Sequence, residues 1–333
     1  MVSLSGFGRR RPSGDEENKS GVAIRMDFKN ARKPNRINII AAVFVMLAAL
    51  LGQVGIVSAE TREVTDHSGR VVRVPVSPQR VIALAPSITE IVFAVHRENI
   101  LAGVTRFSNY PEAATRLPQV GSYVQLDIEK IVSLAPDLCI AIKDGNPLQV
   151  VRRIEAMGIP VFAIYPMEID SVIRSVHDIG DLLNAQKEAD LLVSDMKQRL
   201  NRIEEKVSGI SEKPTVFFQI GVAPIVSAGS GTFIHELIER AGGKNAAGAY
   251  TGYPMFSKEE VLSLAPDVMV LTSMARQKVF DDVIREWRQW EDLPAVRDNR
   301  IYMVDSDLYD RPSPRIVSGL EELAKLLHPQ LFQ

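Results

Sequence analysis

The chain is 333 residues long, enough for two domains of ordinary size, each with its own core. Hydrophobic residues make up 46% and charged residues 24%, as in soluble globular proteins, and no low-complexity tract is present. Residues 1–59 hold nine of the 39 basic and four of the 41 acidic residues, so the remainder carries a formal charge of −7. This excess of acid argues against a nucleic-acid partner, because phosphate binding needs a basic surface.

An uncharged run covers residues 37–59 and follows a short basic stretch. It ends in Val-Ser-Ala, the small or aliphatic residues that a signal peptidase requires. We therefore expect residues 1–59 to be an N-terminal extension and signal peptide, with Met1 or Met26 as the start, and the protein to be periplasmic. The alternative is an uncleaved N-terminal anchor, since a run of this length could span a bilayer.

Cys139 is the only cysteine, and it lies in an apolar run that indicates a core thiol. No cysteine ends the signal, so we expect no lipid attachment there. An exported protein without disulfides must be stabilised by its core alone, which roughly 270 residues can provide.

Strand and helix patterns alternate through residues 60–168. A hairpin is predicted at 64–74, strands at 80–84, 101–104, 138–142 and 161–164, and helices starting at Pro86, Asp127 and Val151. Strands that are apolar on both faces and separated by helices indicate a parallel sheet covered on both sides. Residues 60–168 are therefore predicted to form an N-terminal α/β lobe.

The helical segment 169–210 follows, with apolar residues spaced by three and four. Gly180 and Asn184 are predicted to break it. The second helix, from about 186 to 208, would be about 30 Å long at 1.5 Å per residue, which is enough to bridge two lobes.

The same alternation resumes in residues 211–333, the predicted C-terminal α/β lobe. Strands are predicted at 215–220, 268–271 and 301–304, and helices at 233–240, 257–264 and 313–327. The predicted fold is therefore α/β, with two Rossmann-like lobes, each with a central parallel sheet, joined by a long bridging α-helix.

One pattern occurs in both lobes. Residues 123–139 read YVQLDIEKIVSLAPDLC, and residues 253–269 read YPMFSKEEVLSLAPDVM. The shared Leu-Ala-Pro-Asp predicts a helix end, a turn and a strand start. Glu129 and Glu259 fall in the first helical turn, where the helix dipole stabilises a carboxylate by about 0.3–1 kcal/mol, so a purely structural role is an equal alternative to a functional one.

The tyrosines of this repeat, Tyr123 and Tyr253, precede the helices and stand beside turn-forming residues. A loop aromatic at the strand ends of a parallel sheet faces the crevice where ligands bind. The polar segment 305–315, DSDLYDRPSPR, is a second candidate, because an arginine near a helix N-terminus suits an amide, carboxylate or phosphate group. The alternative is a solvent-exposed loop whose acidic and basic residues form salt bridges with one another.

A metal site is not expected. The five histidines are spaced too far apart along the chain to match the spacing of ligands in a typical metal-binding motif. They are His67, His96, His177, His235 and His328. An enzyme or metal chaperone on a related chelatase-like fold would need clustered histidines and carboxylates, so this scatter argues against that alternative.

Four motifs occur in order along the chain: RVIALAPSITEIVFA, FSNYP, VGSYVQLDIEKIVSLAPDL and SDLYDRPSPRI. With the signal, the two lobes and the bridging helix, residues 66–327 resemble the helical-backbone periplasmic substrate-binding proteins, the class III periplasmic binding proteins. These proteins deliver cobalamin, ferric siderophores or haem to ABC importers, and the cobalamin receptors are the most similar. The resemblance implies a monomeric receptor without enzymatic activity, whose partners are a two-fold inner-membrane permease and its ATPase subunits.

The resemblance also implies roles for individual residues. The implied ligand-binding residues are Ser87, Phe107, Tyr123, Tyr253, Asp307, Leu308, Tyr309, Asp310 and Arg311. Glu129 and Glu259 fall where the family carries one glutamate per lobe for docking on permease arginines. Cobalamin receptors carry tryptophan at the positions of Tyr123, Tyr253 and Ile142. Tyrosine also stacks on a flat or amide-fringed ligand, but it can ligate ferric iron, so cobalamin is the implied ligand and haem or a ferric siderophore the alternative.

Overall fold

The computed structural model describes residues 60–272 and 278–332. The predicted signal peptide or anchor lies outside the described residues. Within these two ranges no helix is both long and apolar enough to cross a membrane. The described residues belong to one compact unit.

A β-hairpin and a four-stranded sheet form the first half of the fold. The hairpin contains β1 (Thr61–Thr65) and β2 (Val71–Pro75), and the sheet contains β3 (Val81–Ala83), β4 (Leu101–Val104), β5 (Leu138–Ile142) and β6 (Val161–Ile164). The order is β4-β3-β5-β6, with every pairing parallel. The predicted parallel sheet is confirmed, and its strands are buried because helices cover both faces.

The helices of this half are α1 (Pro86–Ala94), α2 (Ile128–Ser133) and α3 (Leu148–Ala156), with 3-10 turns at Glu98–Ile100 and Glu112–Arg116. Pro86 occupies the first turn of α1, where its missing N–H costs no helical hydrogen bond. The Asp127 carboxylate accepts a hydrogen bond from the main-chain N–H of Lys130 at 2.9 Å, so it caps α2 as predicted.

Two helices connect the halves, α4 (Ile169–Leu182) and α5 (Gln186–Val207). The predicted break at Asn184 is confirmed, since this residue has a left-handed φ of 54° between the helices. The predicted break at Gly180 is wrong, because Gly180 lies inside α4. A Cβ at Gly180 would be 2.3 Å from the Cβ of Ala189 in α5, so glycine allows the two helices to pack closely.

The second half contains a six-stranded mixed sheet. Its strands are β7 (Thr215–Gly221), β8 (Ile225–Ser227), β9 (Lys244–Asn245), β10 (Met255–Phe256), β11 (Val268–Leu271) and β12 (Ile301–Met303). Strands β9, β7, β11 and β12 pair in parallel, whereas β8 and β10 pair antiparallel at one edge. The sheet predicted to be parallel is therefore mixed, and strands β8, β9 and β10, of three, two and two residues, are too short to show a readable period in the sequence.

The helices of the second half are α6 (Phe233–Arg240), α7 (Lys258–Leu264), α8 (Lys278–Trp287), α9 (Pro294–Arg297), α10 (Ser306–Tyr309) and α11 (Ile316–Leu327), followed by a 3-10 turn at Pro329–Leu331. The bridging helix α5 contacts α1 of the first half and α6 and α11 of the second. It buries Met196, Leu200 and Ile203 in a cluster shared by both halves. We propose that the chain divides at residues 168/169 and 210/211 into the N-terminal lobe, the helical segment and the C-terminal lobe.

The Leu-Ala-Pro-Asp repeat has the same structure in both halves. Ala135 and Ala265 have left-handed φ values of 45° and 44°, which end the preceding helices. Asp137 then accepts a hydrogen bond at 3.0 Å from the main-chain N–H of Arg80, just before β3, and Asp267 accepts one at 2.8 Å from that of Thr215, the first residue of β7. This part of the repeat is therefore scaffold, which ties each helix end to the first strand of its sheet.

Candidate functional site

A cavity of about 850 Å³ lies between the two halves and is called the cleft below. Its walls come from the loops after β3 to β6 in the first half and from Phe233, Tyr253 and the loop after β12 in the second. Ligands of open α/β sheets bind outside the carboxyl ends of the strands, where these loops converge. Ser87, at the start of α1, is implied by the resemblance to contact the ligand, and it lines the cleft.

Five aromatic side chains line the cleft, namely Phe107, Tyr123, Tyr165, Phe233 and Tyr253. Phe107 and Tyr123, in the first half, pack edge to face with ring centroids 6.4 Å apart, and the Arg106 guanidinium lies 4.7 Å from the centroid of the Phe107 ring. Tyr253 lines the wall from the second half. Phe107 is 45% and Tyr253 51% exposed, so both have aromatic surface available for a ligand.

The loop that carries Tyr123 is held by a buried amide. Asn146 donates from Nδ2 to the carbonyl oxygens of Tyr123 at 2.7 Å and of Leu84 at 2.8 Å, and its Oδ1 accepts from the N–H of Ile142 at 2.8 Å. Gly121 has a φ of 93°, and a Cβ there would lie 2.4 Å from a main-chain oxygen. The position of Tyr123 is therefore fixed by its own half of the fold.

Tyr253 follows Gly252, whose φ of 72° is one that glycine adopts readily. Partial burial and the charges of Asp310 and Asp144 raise the pKa of Tyr253. The phenol consequently keeps its proton at neutral pH and can donate a hydrogen bond to a ligand.

Some residues of the polar segment 305–315 line the cleft, and others pack into the hydrophobic core. Asp307, Asp310 and Arg311 line the cleft. Leu308 is half-buried and packs against the main hydrophobic cluster. Tyr309 is fully buried, and its hydroxyl donates to Glu322 Oε2 at 3.1 Å.

Leu308 and Tyr309 do not line the cleft, and this corrects the sequence-based assignment for these two residues. The short helix α10 turns their side chains toward the interior, while Asp307 of this helix and Asp310, its C-cap residue, line the cleft. Burial, followed by the charge of Glu322, raises the pKa of Tyr309 well above its ordinary value, so this hydroxyl is a core donor.

Arg311 is almost saturated by protein acceptors. Its Nη1 donates to Glu90 Oε1 at 3.0 Å and to Asn109 Oδ1 at 2.7 Å. Its Nη2 donates to the Phe107 carbonyl at 3.1 Å and forms an ion pair with Asp307 Oδ1 at 2.6 Å. Within the described ranges, only its Nε–H has no protein acceptor. Arg311 can thus offer a ligand a single donor while these contacts persist.

Asp310 is a half-buried residue of the cleft wall, and its buried Oδ1 has no hydrogen-bond partner among the residues that the structure describes. Burial and the charge of Asp307 raise the pKa of Asp310 to about 7, although Thr272 and Arg311 lower it. Both protonation states are therefore populated near neutral pH. A ligand N–H group would satisfy the orphaned oxygen.

Several cleft residues were not predicted from the sequence. Asp144 and Gly145 follow β5, and Tyr165, Pro166 and Met167 follow β6. The rule that ligands bind at the carboxyl ends of parallel strands identifies these positions if it is applied to every strand of the sheet.

Glu129 and Glu259 are exposed and stand in the first turns of α2 and α7, away from the cleft lining. In the second copy the capping box is formed by Ser257 and Glu260, whose Oε2 accepts from the Ser257 N–H at 2.6 Å. Glu259 therefore has no part in that cap. Its side chain is available to a partner.

In the described part of the chain, no three His, Cys, Asp or Glu side chains lie close enough together to hold a metal ion. His67 pairs with Asp178 at 2.8 Å, and His328 donates to the Gly242 carbonyl at 3.1 Å, so both have structural partners. Burial raises the pKa of Cys139 to about 12, which keeps this core thiol protonated.

Comparison with known proteins shows the family to which this chain belongs. The sequence profile of the family described as periplasmic binding protein matches residues 81–308, more than half of the chain. The chain belongs to the periplasmic binding protein family. The predicted family and fold class are therefore confirmed.

Individual relatives differ in what they bind. This periplasmic binding protein is 32% identical over 276 residues to an uncharacterised ABC transporter substrate-binding lipoprotein, YvrC, of Bacillus subtilis, covering 81% of this chain and 86% of the relative. It is 28% identical over 249 residues to a vitamin B12-binding protein of Vibrio parahaemolyticus, covering 74% and 88%. A crystal structure of a periplasmic haem-binding protein from Pseudomonas aeruginosa matches it with a TM-score of 0.70 at 27% identity, covering 76% of this chain and 93% of the other.

These relatives assign the general role. The chain is a substrate-binding protein of an ABC transporter, and its family is one of solute-binding proteins rather than enzymes. A small-molecule ligand and a permease partner follow from this role. The identity of the ligand depends on the chemistry of the cleft.

Proposed function

We propose that this periplasmic binding protein captures cobalamin or a related corrinoid in the cleft and delivers it to the permease of its ABC transporter. The observation that carries the proposal is the pair Phe107 and Tyr123 on one wall and Tyr253 on the other. The cavity of about 850 Å³ is near the upper end of the usual range for ligand pockets, about 300–1,000 Å³, which favours a bulky ligand.

The charges of the cleft favour a corrinoid over an anionic ligand. Asp144, Asp307 and Asp310 supply three carboxyl groups, against the two guanidinium groups of Arg106 and Arg311. Haem propionates and acidic ferric chelates would meet like charge here. The amide groups that fringe a corrinoid can donate to these carboxylates and accept from the free N–H of Arg311.

The alternative is a receptor for haem or a ferric siderophore with tyrosine contacts to iron. Ferric iron is ligated by phenolate, so an iron-binding tyrosine must lose its proton. The pKa of Tyr253 is raised by burial, Asp310 and Asp144, and that of Tyr165 is raised mainly by the charge of Asp144. Both tyrosines therefore favour the neutral phenol, which suits stacking and hydrogen bonding better than iron ligation.

Isothermal titration calorimetry of the purified protein with cyanocobalamin and, separately, with haem tests the proposal. We expect one cobalamin per chain with micromolar or tighter affinity, and weaker binding of haem. No heat with cobalamin together with a shift of the haem Soret band would instead support the alternative.

The proposal includes export and docking. An exported protein, released by cleavage at residue 59 or tethered by an uncleaved anchor, would meet its ligand outside the inner membrane. It would then present Glu129 and Glu259, one from each half, to a two-fold permease. Two exposed carboxylates set by the same repeat suit two equivalent basic sockets.

A further inference from the structure

A cluster of buried charges ties the two halves together beside the cleft. Its centre is Glu90 of α1, whose side chain is only 2% exposed. Glu90 Oε1 accepts from Arg311 Nη1 at 3.0 Å and from Arg315 Nη2 at 2.8 Å. Its Oε2 accepts from Ser313 Oγ at 2.6 Å and from Arg315 Nε at 2.8 Å. One carboxylate of the first half is thus held by three residues of the second.

The charges within this cluster balance. Glu90 and Asp307 are the acids, and Arg311 and Arg315 are the bases. The Arg315 guanidinium also lies over the Tyr110 ring, 3.9 Å from its centroid. A balanced and hydrogen-bonded cluster satisfies its buried charges internally and adds no net positive potential to the cleft.

Arg311 is the one guanidinium of the cluster that also lines the cleft. Binding a carboxylate through two parallel hydrogen bonds needs two neighbouring N–H groups of one guanidinium. Glu90, Asn109, the Phe107 carbonyl and Asp307 already engage both terminal nitrogens. A carboxylate-bearing ligand could therefore pair with Arg311 in this way only by displacing a protein contact.

We propose that Glu90 determines the ligand specificity of the cleft by occupying Arg311, so that neutral, amide-bearing ligands are preferred over carboxylate-bearing ones. Glu90 does not line the cleft and acts through Arg311, so it is a positioning residue. This inference rests on the proposed function, since it assumes that the cleft takes a corrinoid or a comparable tetrapyrrole. It differs from a purely structural role, because loosening a structural tie would weaken the binding of every ligand together.

The test is Glu90→Gln, which keeps the shape of the side chain and removes its charge. Dissociation constants for cyanocobalamin and for haem, measured on the wild type and the variant, give a haem-to-cobalamin affinity ratio for each. We expect the ratio to rise about tenfold in the variant, equivalent to ~1.4 kcal/mol, because a neutral amide holds Arg311 less tightly than a carboxylate and leaves it freer to pair with a propionate. Adding Arg311→Lys to the variant should abolish the rise, since lysine lacks the planar fork.

A matched control is Glu321→Gln. Glu321 pairs with Arg199 at 2.8 Å between α11 and α5, outside the cleft lining. This change should lower thermal stability and leave the affinity ratio unchanged. A ratio that stays constant in Glu90→Gln, or rises equally in the control, would overturn the inference.

Two further outcomes keep the test decisive. If Glu90→Gln does not fold, Asn109→Ala removes one acceptor of Arg311 at an exposed position, and the ratio should rise by a smaller amount. An unchanged ratio in Asn109→Ala would then count against the inference. Wild-type protein that binds neither probe would overturn the proposed function and the inference together, whereas tight cobalamin binding with a constant ratio would overturn the inference alone.

Discussion

Tyr253 lies on the second-half wall of the cleft with half of its surface exposed. Its neighbours Asp310 and Asp144 are acidic, and with partial burial they hold its proton in place. The ring is therefore expected to act as a stacking surface for the ligand. Stacking depends on the aromatic face, and the phenol oxygen adds only a single hydrogen bond to it.

Two substitutions at Tyr253 separate stacking from iron ligation. Tyr253→Phe should change cobalamin affinity little, whereas Tyr253→Ala should weaken it about tenfold, because an aromatic contact contributes ~0.5–1.5 kcal/mol beyond the area that it buries. Calorimetry on both variants measures the difference. If the wild-type protein does not bind cobalamin, and Tyr253→Phe abolishes its binding of haem, the phenol is an iron ligand and the stacking role is wrong.

Asp310 makes stability depend on pH in a direction opposite to that of most carboxylates. Its pKa is about 7 in the folded chain, against an ordinary value of 3.8, chiefly because of burial. Below about pH 4 Asp310 is protonated in both states and does not affect the free energy of unfolding. Between about pH 4 and 7 the unfolded chain loses this proton more readily, so the free energy of unfolding falls as the pH rises. Above about pH 7 the contribution of Asp310 is constant.

Asp310→Asn removes this titration while keeping the shape of the side chain. The variant should have a higher Tm than the wild type at about pH 8, and the gap should close as the pH falls toward 4. Thermal denaturation followed by circular dichroism over this range measures the gap. A gap that is independent of pH, or that widens in acid, would show that Asp310 has an ordinary pKa.

At the scale of elements, the packing of α4 on α5 depends on Gly180. A methyl group there would lie 2.3 Å from the Cβ of Ala189, and both atoms belong to regular helices that cannot move independently. Gly180→Ala should therefore lower the free energy of unfolding by about 1–3 kcal/mol through overpacking. Urea denaturation measures this loss, with Gly209→Ala as the control because nothing lies within 4 Å of a Cβ at that position. Equal stability of the two variants would contradict the close packing.

The repeated helices α2 and α7 present the proposed docking carboxylates. Glu129→Lys combined with Glu259→Lys should abolish transporter-dependent uptake of the ligand, because basic sockets would now meet lysines. Cobalamin affinity in solution should stay unchanged, since neither residue lines the cleft. Glu205→Lys, an exposed charge reversal on α5, provides the control. Loss of affinity in the double variant would instead assign these glutamates to the fold or the cleft.

For the molecule as a whole, the two halves are tied together in two places. Helix α5 contacts helices of both, and Glu90 binds residues 311–315 across the boundary. A helix at one place and a buried ion cluster at the other restrict hinge motion. We therefore expect only small rocking of the halves on ligand binding.

Much of this fold could be predicted from the sequence, because buried parallel strands are continuous apolar runs and α5 has a long amphipathic period. The alternation of such segments was sufficient to predict the first sheet and strands β7, β11 and β12 of the second, but not that the second sheet is mixed rather than parallel. The short antiparallel strands β8 and β10 could not be predicted, since two or three residues show no period. Gly180 was misread because a glycine that permits close helix packing looks the same in sequence as one that ends a helix.

The cleft was predictable only in part. Tyr123 and Tyr253 were found because the repeat marks them at strand ends. The segment 305–315 was found as a whole, and the resemblance implied ligand contact for all of residues 307–311. Neither the sequence nor the resemblance says which residues of a one-turn helix face inward, so Leu308 and Tyr309 were included. Glu90 gave no signal, because its partners are 221 or more positions away and such pairing depends on the tertiary fold.

The proposed function requires that the cleft binds a corrinoid. The most direct measurement is the absorption spectrum and metal content of ligand that remains bound when the protein is purified from its native cells. We expect a corrinoid spectrum with about one cobalt per chain. A Soret band or an iron chelate at the same stoichiometry would contradict it.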